Sequence, residues 1–251
     1  MIRKTPFPEK SEFFANVPPA IREAVLSTAR CKTYACRNLM FRIDDPIEET
    51  LLLVEGCAKV SQLTRSGAEV VLRISIPGEL VGELGMEPGR RHSSSAQAME
   101  ECVVLAWMTQ TFESSLERFP ILRRNVNSIL ERRIIEMESR VCRISAGQLV
   151  SQRLAHDLCC LGSSMGRKVN GHIEIKIAQE TLAQMTAMGA YTLNRILSSW
   201  QNQGLLKVYR KCIAIHDPLG LSALGGLSGH QAPSSGALEV MGPNGTERVQ
   251  P

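Results

Sequence analysis

Short apolar runs separated by glycine-containing turns occupy the first hundred residues. The runs are rich in Val, Leu and Ile and cover residues 51–55, 58–64, 69–76 and 95–108. Glycines at positions 56, 67 and 78 lie in the breaks between them. Closely spaced strands with such turns are typical of an antiparallel barrel or sandwich. Before them, residues 18–29 start with proline and carry apolar residues on one face, which predicts a helix.

The apolar periodicity changes after Thr109. Within residues 130–144 the apolar positions are separated alternately by four and three, while Glu and Arg fill the other faces. These positions are Leu130, Ile134, Met137, Val141 and Ile144. The spacing predicts the seam of a coiled coil and therefore a homodimer. The alternative is a helix packed on its own domain, which usually has a broader apolar face.

The segment from Ser151 to Asp217 predicts short helices with strands among them and at its end. A helix at 153–161 precedes a Gly- and Ser-containing break at 162–171, and HIEIKI at 172–177 alternates apolar and charged residues as an edge strand does. Residues 205–215, LLKVYRKCIAI, predict a two-stranded basic wing. Beyond this point Gly, Pro, Ser and Ala dominate, which predicts a disordered tail over 218–251.

Residues 179–206 predict two short helices joined by a corner at Met188 and Gly189, which is a helix-turn-helix pattern. The second helix places Leu193, Ile196, Leu197 and Trp200 on an inward face. Its outward residues suit DNA, since Arg can bond a guanine edge, Asn can pair with adenine, and Thr or Tyr can reach phosphates. The predicted DNA-binding residues are Gln179, Gly189, Tyr191, Thr192, Asn194 and Arg195. The alternative is a plain packing unit with a solvated polar face.

The charge distribution supports the DNA interpretation. Between Gly147 and Asp217 there are eight Lys and Arg against four Asp and Glu, so this segment accounts for the whole net charge of +4. A local basic excess is compatible with a polyanionic partner. The sequence therefore predicts double-stranded DNA as a partner, bound at a palindromic site because the dimer supplies two-fold symmetry.

Composition excludes several other classes of protein. The 251 residues contain no apolar run long enough for a membrane span and no signal-peptide pattern, which predicts a cytoplasmic protein without a membrane partner. The eight cysteines are scattered without a C-x-x-C pair, so we expect reduced thiols and no metal site. No paired carboxylates, Ser-His-Asp set or metal ligands indicate catalysis, and His216-Asp217 is expected to be a surface pair. The chain is therefore not expected to be an enzyme.

The stretch IPGELVGELGM, residues 76–86, places three glycines and two Gly-Glu pairs directly after a predicted strand. Glycine permits positive φ and close approach of another group to the backbone. The stretch is compatible with a small anion or a sugar as ligand, and equally with a tight turn.

Four motifs, in this order, resemble one family: VEGCAKV at 54–60, PGELVGELGM at 77–86, LERRI at 130–134 and TLNRILSSWQNQGLL at 192–206. The chain resembles bacterial transcription regulators of the superfamily of the cyclic-AMP receptor protein and the fumarate-nitrate reduction regulator. The resemblance implies an α+β fold in which residues 1–115 form a cyclic-nucleotide-binding-like double-stranded β-helix barrel. It further implies a dimerisation helix at 116–146, a winged helix-turn-helix at 147–217, and RNA polymerase as a further partner.

The resemblance also implies an effector site in the barrel, formed by Gly82, Glu83, Arg91, His92 and Ser93. In cyclic-nucleotide-binding relatives the Gly-Glu pair holds the ribose, and a later Arg-Ser pair holds the phosphate. Here His92 stands at the arginine's place, with Arg91 one residue away, and only arginine offers a two-pronged charge-assisted contact to phosphate. The helix positions that receive adenine in cyclic-AMP receptors fall at 137–139 and include Glu138. We therefore expect an effector other than cyclic AMP.

Two alternatives concern the role of His92. His92 as a haem ligand is one alternative, and a polar loop histidine is the simpler one. Cys31 and Cys36 do not supply the clustered cysteines that iron-sulfur relatives use. The recognition helix begins with Gly189-Ala190-Tyr191-Thr192 where relatives often have Ser-Arg-Glu-Thr, so a different target sequence is expected. The rival interpretation is a cyclic-nucleotide-binding module that regulates a protein partner without binding DNA.

Overall fold

The computed structural model describes residues 11–84 and 89–226, and this part of the chain forms an α+β fold with antiparallel sheets. The helices are α1 (Pro19–Leu26), α2 (Thr109–Arg118), α3 (Pro120–Ser145), α4 (Val150–Met165), α5 (Gln179–Thr186), α6 (Ala190–Asn202) and α7 (Pro218–Leu224). The strands are β1 (Arg30–Tyr34), β2 (Leu39–Phe41), β3 (Glu49–Glu55), β4 (Ala58–Leu63), β5 (Glu69–Ser75), β6 (Leu80–Val81), β7 (Ser95–Ala98), β8 (Cys102–Met108), β9 (Arg167–Val169), β10 (His172–Ile175), β11 (Leu206–Tyr209) and β12 (Cys212–Ile215). The predicted fold class is confirmed.

Two four-stranded sheets form the N-terminal barrel, in the orders β1-β8-β3-β6 and β2-β7-β4-β5. Strand β3 lies between β8 and β6, and its run from Leu51 to Val54 is buried. Gly56 follows this strand with φ of +85°, and a Cβ there would lie 2.3 Å from the carbonyl oxygen of Glu101. Only glycine fits this turn, because any other residue would have a strained backbone at this φ and a Cβ that clashes with the Glu101 carbonyl.

Residues 95–108 were expected as one strand and are two. Strand β7 belongs to the sheet with β2 and β4, whereas β8 belongs to the sheet with β1 and β3. The amide of Met99 donates to the carbonyl of Cys57 where the chain crosses between the sheets. Residues 95–108 read as one apolar run because β7 and β8 both contribute side chains to the barrel core. Strands β1 and β2, which the pattern did not reveal, are mostly exposed or half-buried and lack a regular apolar alternation.

Helices α1, α2 and the first half of α3 cover one face of the barrel. Trp107 is fully buried there with Phe13, Phe112 and Leu122, and its ring Nε1 donates to the carbonyl of Val25 at 2.9 Å. The predicted N-terminal helix is confirmed as α1. Helix α2 begins at Thr109, so the expected barrel boundary at residue 115 falls inside a helix.

The C-terminal part packs α4 to α7 against a four-stranded sheet of order β11-β12-β10-β9. The predicted helix pair and wing are confirmed as α5, α6, β11 and β12. The expectation of an edge strand at HIEIKI is wrong, because β10 lies between β12 and β9. The expected break at 162–171 instead contains the end of α4 and the edge strand β9. Helix α4 continues through the buried Gly162, which packs against Ile173 and Ile215.

Disorder from Pro218 onward was predicted, and this is wrong for Pro218–Leu224. Asp217 caps α7 by accepting a hydrogen bond from the amide of Gly220 at 2.9 Å, and Leu221 is fully buried in the C-terminal core. Proline at the first helical position and an Asp cap are ordinary helix-start features that the Gly- and Ser-rich composition concealed. Residues 227–251 of the predicted tail lie outside the described part of the chain.

Candidate functional site

The corner between α5 and α6 is made by Ala187. Its φ of +51° is left-handed, and the amide of Met188 closes the turn on the carbonyl of Ala183. The corner had been expected at Met188 and Gly189, but Gly189 has φ of −68° and is the N-cap residue of α6. The corner is therefore a left-handed helix C-cap on a small non-glycine residue.

Helix α6 presents two chemically different faces. Leu193, Leu197 and Trp200 are buried in the C-terminal core and fix the helix. On the opposite side Tyr191 is 83% exposed, and Asn194 and Arg195 are exposed beside it. Positions 191, 194 and 195 lie on one side of a helix because residues three and four apart are neighbours.

The other residues of the predicted DNA-binding set flank this face. Thr192 is half-buried on the first turn of α6, and Gly189 is exposed at its N-cap. Gln179 is half-buried at the first position of α5. The structure thus brings the set together around the start of α6, apart from Gln179 at the far end of α5.

A basic hairpin accompanies α6. Strands β11 and β12 are joined by Arg210 and Lys211, which are both exposed, as is Lys207. The amide of Val208 donates to the side-chain oxygen of Gln201 at 3.0 Å, which fixes the hairpin relative to α6. A polar helix face beside a basic hairpin can place one element against bases and the other against phosphates.

The predicted dimer residues divide along α3. Leu130 is half-buried against the core beneath the barrel. Ile134, Met137, Val141 and Ile144 are each more than half exposed within the single chain, as is Ile135, which the heptad pattern did not include. Contiguous exposed apolar side chains along one helix are typical of an interaction surface.

Within the barrel, the carboxylate of Glu83 is engaged by the chain's own groups. Its Oε2 lies 2.6 Å from His92 Nδ1. Its Oε1 accepts from the Ser93 amide at 2.9 Å and from the Ser93 hydroxyl at 2.8 Å, with the Ser94 hydroxyl at 3.3 Å. Burial raises the pKa of Glu83, but the hydrogen bonds from His92 and Ser93 outweigh it and bring the pKa to about 2. The carboxylate is therefore ionised, and it accepts hydrogen bonds from three side chains and one backbone amide of the chain itself.

Gly82 and Phe41 fix the rest of this loop. Gly82 has φ of +88°, and a Cβ there would lie 2.8 Å from the Phe41 ring. That ring stacks on His92 with 3.7 Å between the centroids and 7° between the planes. The imidazole is thus held between an aromatic face and a carboxylate, which defines its position on the loop.

Two half-buried arginines donate hydrogen bonds to the Gly82 carbonyl. Arg133 Nη1 donates to it at 2.9 Å and Arg73 Nη2 at 3.1 Å, while Arg133 also donates to the Leu80 carbonyl. Burial lowers the pKa of Arg133 to about 10. Arg73 Nε has no hydrogen-bond partner among the described residues. Sequence reasoning missed Arg133, although it lies in the LERRI motif. Glu138, expected to face the site, is exposed.

Arg91 lies away from Glu83. Its Nη1 donates to the Asp44 carbonyl at 2.6 Å on the exposed loop before β3. The predicted effector residues Gly82, Glu83, His92 and Ser93 are thus brought together and Arg91 is not. The last residues of the Gly-Glu motif, Gly85 and Met86, lie outside the described part of the chain.

No three His, Cys, Asp or Glu side chains come together as a metal site within residues 11–84 and 89–226. All eight cysteines are free thiols. Burial raises the pKa of Cys57 to about 12 and that of Cys160 to about 11, which disfavours the reactive thiolate. In the same described ranges no helix is both long and apolar enough to cross a membrane.

Two protein-family models match this chain. A cyclic nucleotide-binding domain matches residues 31–119, and a Crp-like helix-turn-helix domain matches residues 152–224. The transcriptional activator protein Anr of Pseudomonas aeruginosa is 25% identical over 191 residues, which is 75% of this chain and 78% of that protein.

Two further relatives extend the comparison. A CRP-like cAMP-activated global transcriptional regulator of Mycobacterium tuberculosis is 22% identical over 211 residues, covering 83% of this chain and 93% of that protein. The solved structure of CLP, a c-di-GMP responsive global regulator of Xanthomonas campestris, superposes with a TM-score of 0.69 at 20% identity. That match covers 79% of this chain and 99% of the other, and it shows a common fold.

Proposed function

Because the chain belongs to the superfamily of the cyclic-AMP receptor protein and the fumarate-nitrate reduction regulator, which are DNA-binding transcription regulators, we propose how it recognises DNA. Two copies join along α3 and place their α6 helices in successive major grooves of a palindromic operator. The observation that carries this proposal is α6 itself, which is anchored by Leu193, Leu197 and Trp200 and exposes Tyr191, Asn194 and Arg195.

The chemistry of the exposed face supports a division of roles. Arg195 suits two acceptors on a guanine edge, and Asn194 suits adenine. Tyr191 and Thr192 suit phosphate or a thymine edge at the start of the helix, with Gln179 and Gly189 contributing to the same interface. Lys207, Arg210 and Lys211 supply phosphate contacts from the wing, which add affinity without reading sequence.

The exposed apolar stripe on α3, formed by Ile134, Met137, Val141 and Ile144, supports dimerisation. Members of this family act as dimers, and Ile134, Met137, Val141 and Ile144 are the residues we assign to the interface of this chain, with Leu130 at its start. A second copy of α3 would bury these side chains at heptad spacing. The two-fold axis along α3 then relates the two recognition helices, which is why a palindromic site is expected.

The barrel is the proposed sensor domain, with Gly82, Glu83, His92 and Ser93 at the effector site. An effector must bind one arrangement of the DNA-binding domains better than another to act. A cyclic nucleotide would have to displace His92, Ser93 and Ser94 from Glu83 to use that carboxylate for its ribose. An effector of different chemistry is therefore proposed, and contact with RNA polymerase is proposed by family analogy.

In vitro selection from a random duplex library tests the proposal directly. The full chain should enrich one sequence with inverted half-sites, and its affinity should fall steeply with salt because phosphate contacts release counterions. Enrichment of no sequence, with weak binding that ignores sequence, would contradict it. The same measurement distinguishes a DNA-binding regulator from a module that acts only on a protein partner. Neither the family models nor the relatives support the second function.

A further inference from the structure

Arg140 of α3 joins three parts of the molecule. Its Nη1 donates to the carbonyl of Leu72 on barrel strand β5 at 3.1 Å. Its Nη2 donates to the carbonyl of Met185, near the end of α5. One guanidinium on the dimerisation helix therefore contacts both the barrel and the first helix of the helix-turn-helix unit.

The Met185 carbonyl is a suitable anchor because of its position. It belongs to the last turn of α5, whose carbonyls have no amide of the same helix to accept from. A cation at this end also interacts favourably with the helix dipole. The planar guanidinium can hold two carbonyls in fixed directions at once, which a lysine ammonium does less well.

A second polar contact lies beside this one. Gln184 of α5 donates through Nε2 to Glu69 Oε2 at 2.9 Å, and its Oε1 lies 3.4 Å from Lys59 Nζ. Lys59 and Glu69 pair across β4 and β5 at 2.8 Å, and Ser61 donates to the other oxygen of Glu69 at 2.7 Å. Because Glu69 is fixed by two barrel residues, Gln184 meets a preformed site.

Apolar packing joins the barrel and the C-terminal part at the same junction. Val71 of β5 is fully buried in the core of the C-terminal part, in the same cluster as Leu182 and Met185. Ile74 packs against this cluster as well. The barrel thus supplies a core residue to the domain that carries α6, and the polar contacts around it select one orientation of that domain.

We propose that Arg140 is a positioning residue for DNA recognition, with Gln184 as its second support. Arg140 lies within the apolar stripe assigned to the dimer, directly before Val141, so it links the position of α5 to the two-fold axis. The linkage sets the separation of the two α6 helices and therefore the operator spacing that the dimer accepts. This inference rests on the proposed binding of a palindromic operator.

The test compares three duplexes: the operator enriched by the wild-type protein, the same operator with two base pairs added between its half-sites, and a single half-site. Binding of the full-length chain to each is measured for wild type, Arg140→Ala, Arg140→Lys and Gln184→Ala. Arg124→Ala is the matched control, because Arg124 is an exposed arginine on the same helix. Melting temperature and sedimentation are recorded for each variant.

Wild-type protein should prefer the correct spacing. Arg140→Ala should reduce that preference by about tenfold, because a charge-assisted hydrogen bond typically changes an equilibrium constant by about this factor. Binding to the single half-site should be unchanged. Arg140→Lys should behave similarly, since it keeps the charge and loses the two-pronged geometry. Gln184→Ala should shift the preference in the same direction, and it provides the test if Arg140→Ala does not fold. Arg124→Ala should match wild type.

Two results would overturn the positioning role alone. One is an unchanged spacing preference in folded Arg140→Ala and Gln184→Ala dimers. The other is an equal loss of binding to all three duplexes together with a lowered melting temperature, which indicates general destabilisation. A wild-type protein that enriches no palindromic duplex overturns the proposed function and the positioning role with it.

Discussion

His92 Nδ1 lies 2.6 Å from Glu83 Oε2, with both side chains at most 10% exposed. The pair lies within residues 31–119, which match the cyclic nucleotide-binding domain, and it joins two residues of the effector site that the resemblance implies. Ser93 and Ser94 complete the coordination of the same carboxylate. Gly82 and Glu83 of the family motif are thus present, but the Glu83 carboxylate already accepts hydrogen bonds from within the chain.

Cyclic AMP should leave the melting temperature of the wild-type protein unchanged. A ligand present at about a hundred times its dissociation constant stabilises a folded protein by roughly 2.7 kcal/mol, which a thermal-shift assay detects readily. No such stabilisation is expected, because Glu83 is engaged and no arginine faces it from the position of His92. A saturable rise in melting temperature with cyclic AMP would contradict this prediction.

Asp157 predicts a pH dependence of stability. Burial raises its pKa to about 6 against the opposing effect of Arg140, Arg143 and Arg153, whereas the ordinary value is 3.8. A carboxyl group whose pKa is higher in the folded protein than in the unfolded chain stabilises the fold at a pH below the unfolded-state pKa. This stability is lost as the pH rises through the folded-state pKa. The free energy of unfolding should therefore fall between about pH 4 and pH 6, by an amount on the order of 1–3 kcal/mol.

Asp157→Asn should flatten the pH profile over this range in chemical denaturation experiments. Asp44→Asn is the control, because Asp44 is exposed on a loop and its left-handed φ of +68° is one that Asn tolerates. A slope that persists in Asp157→Asn would assign the dependence to another group.

Helix α7 should be needed for the stability of the C-terminal part. Leu221 is fully buried, so Leu221→Ala should lower the free energy of unfolding by roughly 2–5 kcal/mol. Leu219 lies two residues earlier and is 83% exposed, so Leu219→Ala should change stability by no more than about 0.5 kcal/mol. Equal melting temperatures for the two variants would contradict the packing of α7.

Val141→Glu should convert the dimer to a monomer. Val141 is 56% exposed in the single chain, so the substitution should not unfold it, but a second α3 would bury the new carboxylate without a partner. Glu131→Gln, on an exposed charged position of the same helix, is the control. Sedimentation at micromolar concentration measures the effect, and a variant that sediments as a dimer would place the interface elsewhere.

The sequence predicted features that depend on local periodicity. Alternating strands, the heptad spacing of α3 and the two faces of α6 each follow from side-chain patterns within a few turns of chain. Arg133 and Arg140 were not identified because both contact backbone carbonyls distant in sequence, at Gly82, Leu72 and Met185. A pattern of residue types carries no information about such carbonyls.

The errors have similar physical causes. Strand β10 is internal because β9 pairs with it across a tight turn, and three exposed or half-buried residues gave no strand pattern for β9. Helix α7 was missed because Leu221 is stabilised by long-range packing within a low-complexity segment. The hydrogen bond between Glu83 and His92 was also not predicted. It depends on the stacking of the His92 ring on Phe41, which brings together residues that are distant in sequence.

DNA binding by Arg195→Ala is the most direct measurement of the proposed recognition. Arg195 is exposed on α6 and has no role in the core, so the variant should remain a folded dimer. Loss of a contact to two acceptors of a base typically costs about 1–3 kcal/mol, so affinity for the enriched operator should fall roughly tenfold to a hundredfold while binding to unrelated duplex stays the same. Specific binding at the wild-type level by a folded Arg195→Ala dimer would contradict recognition through α6.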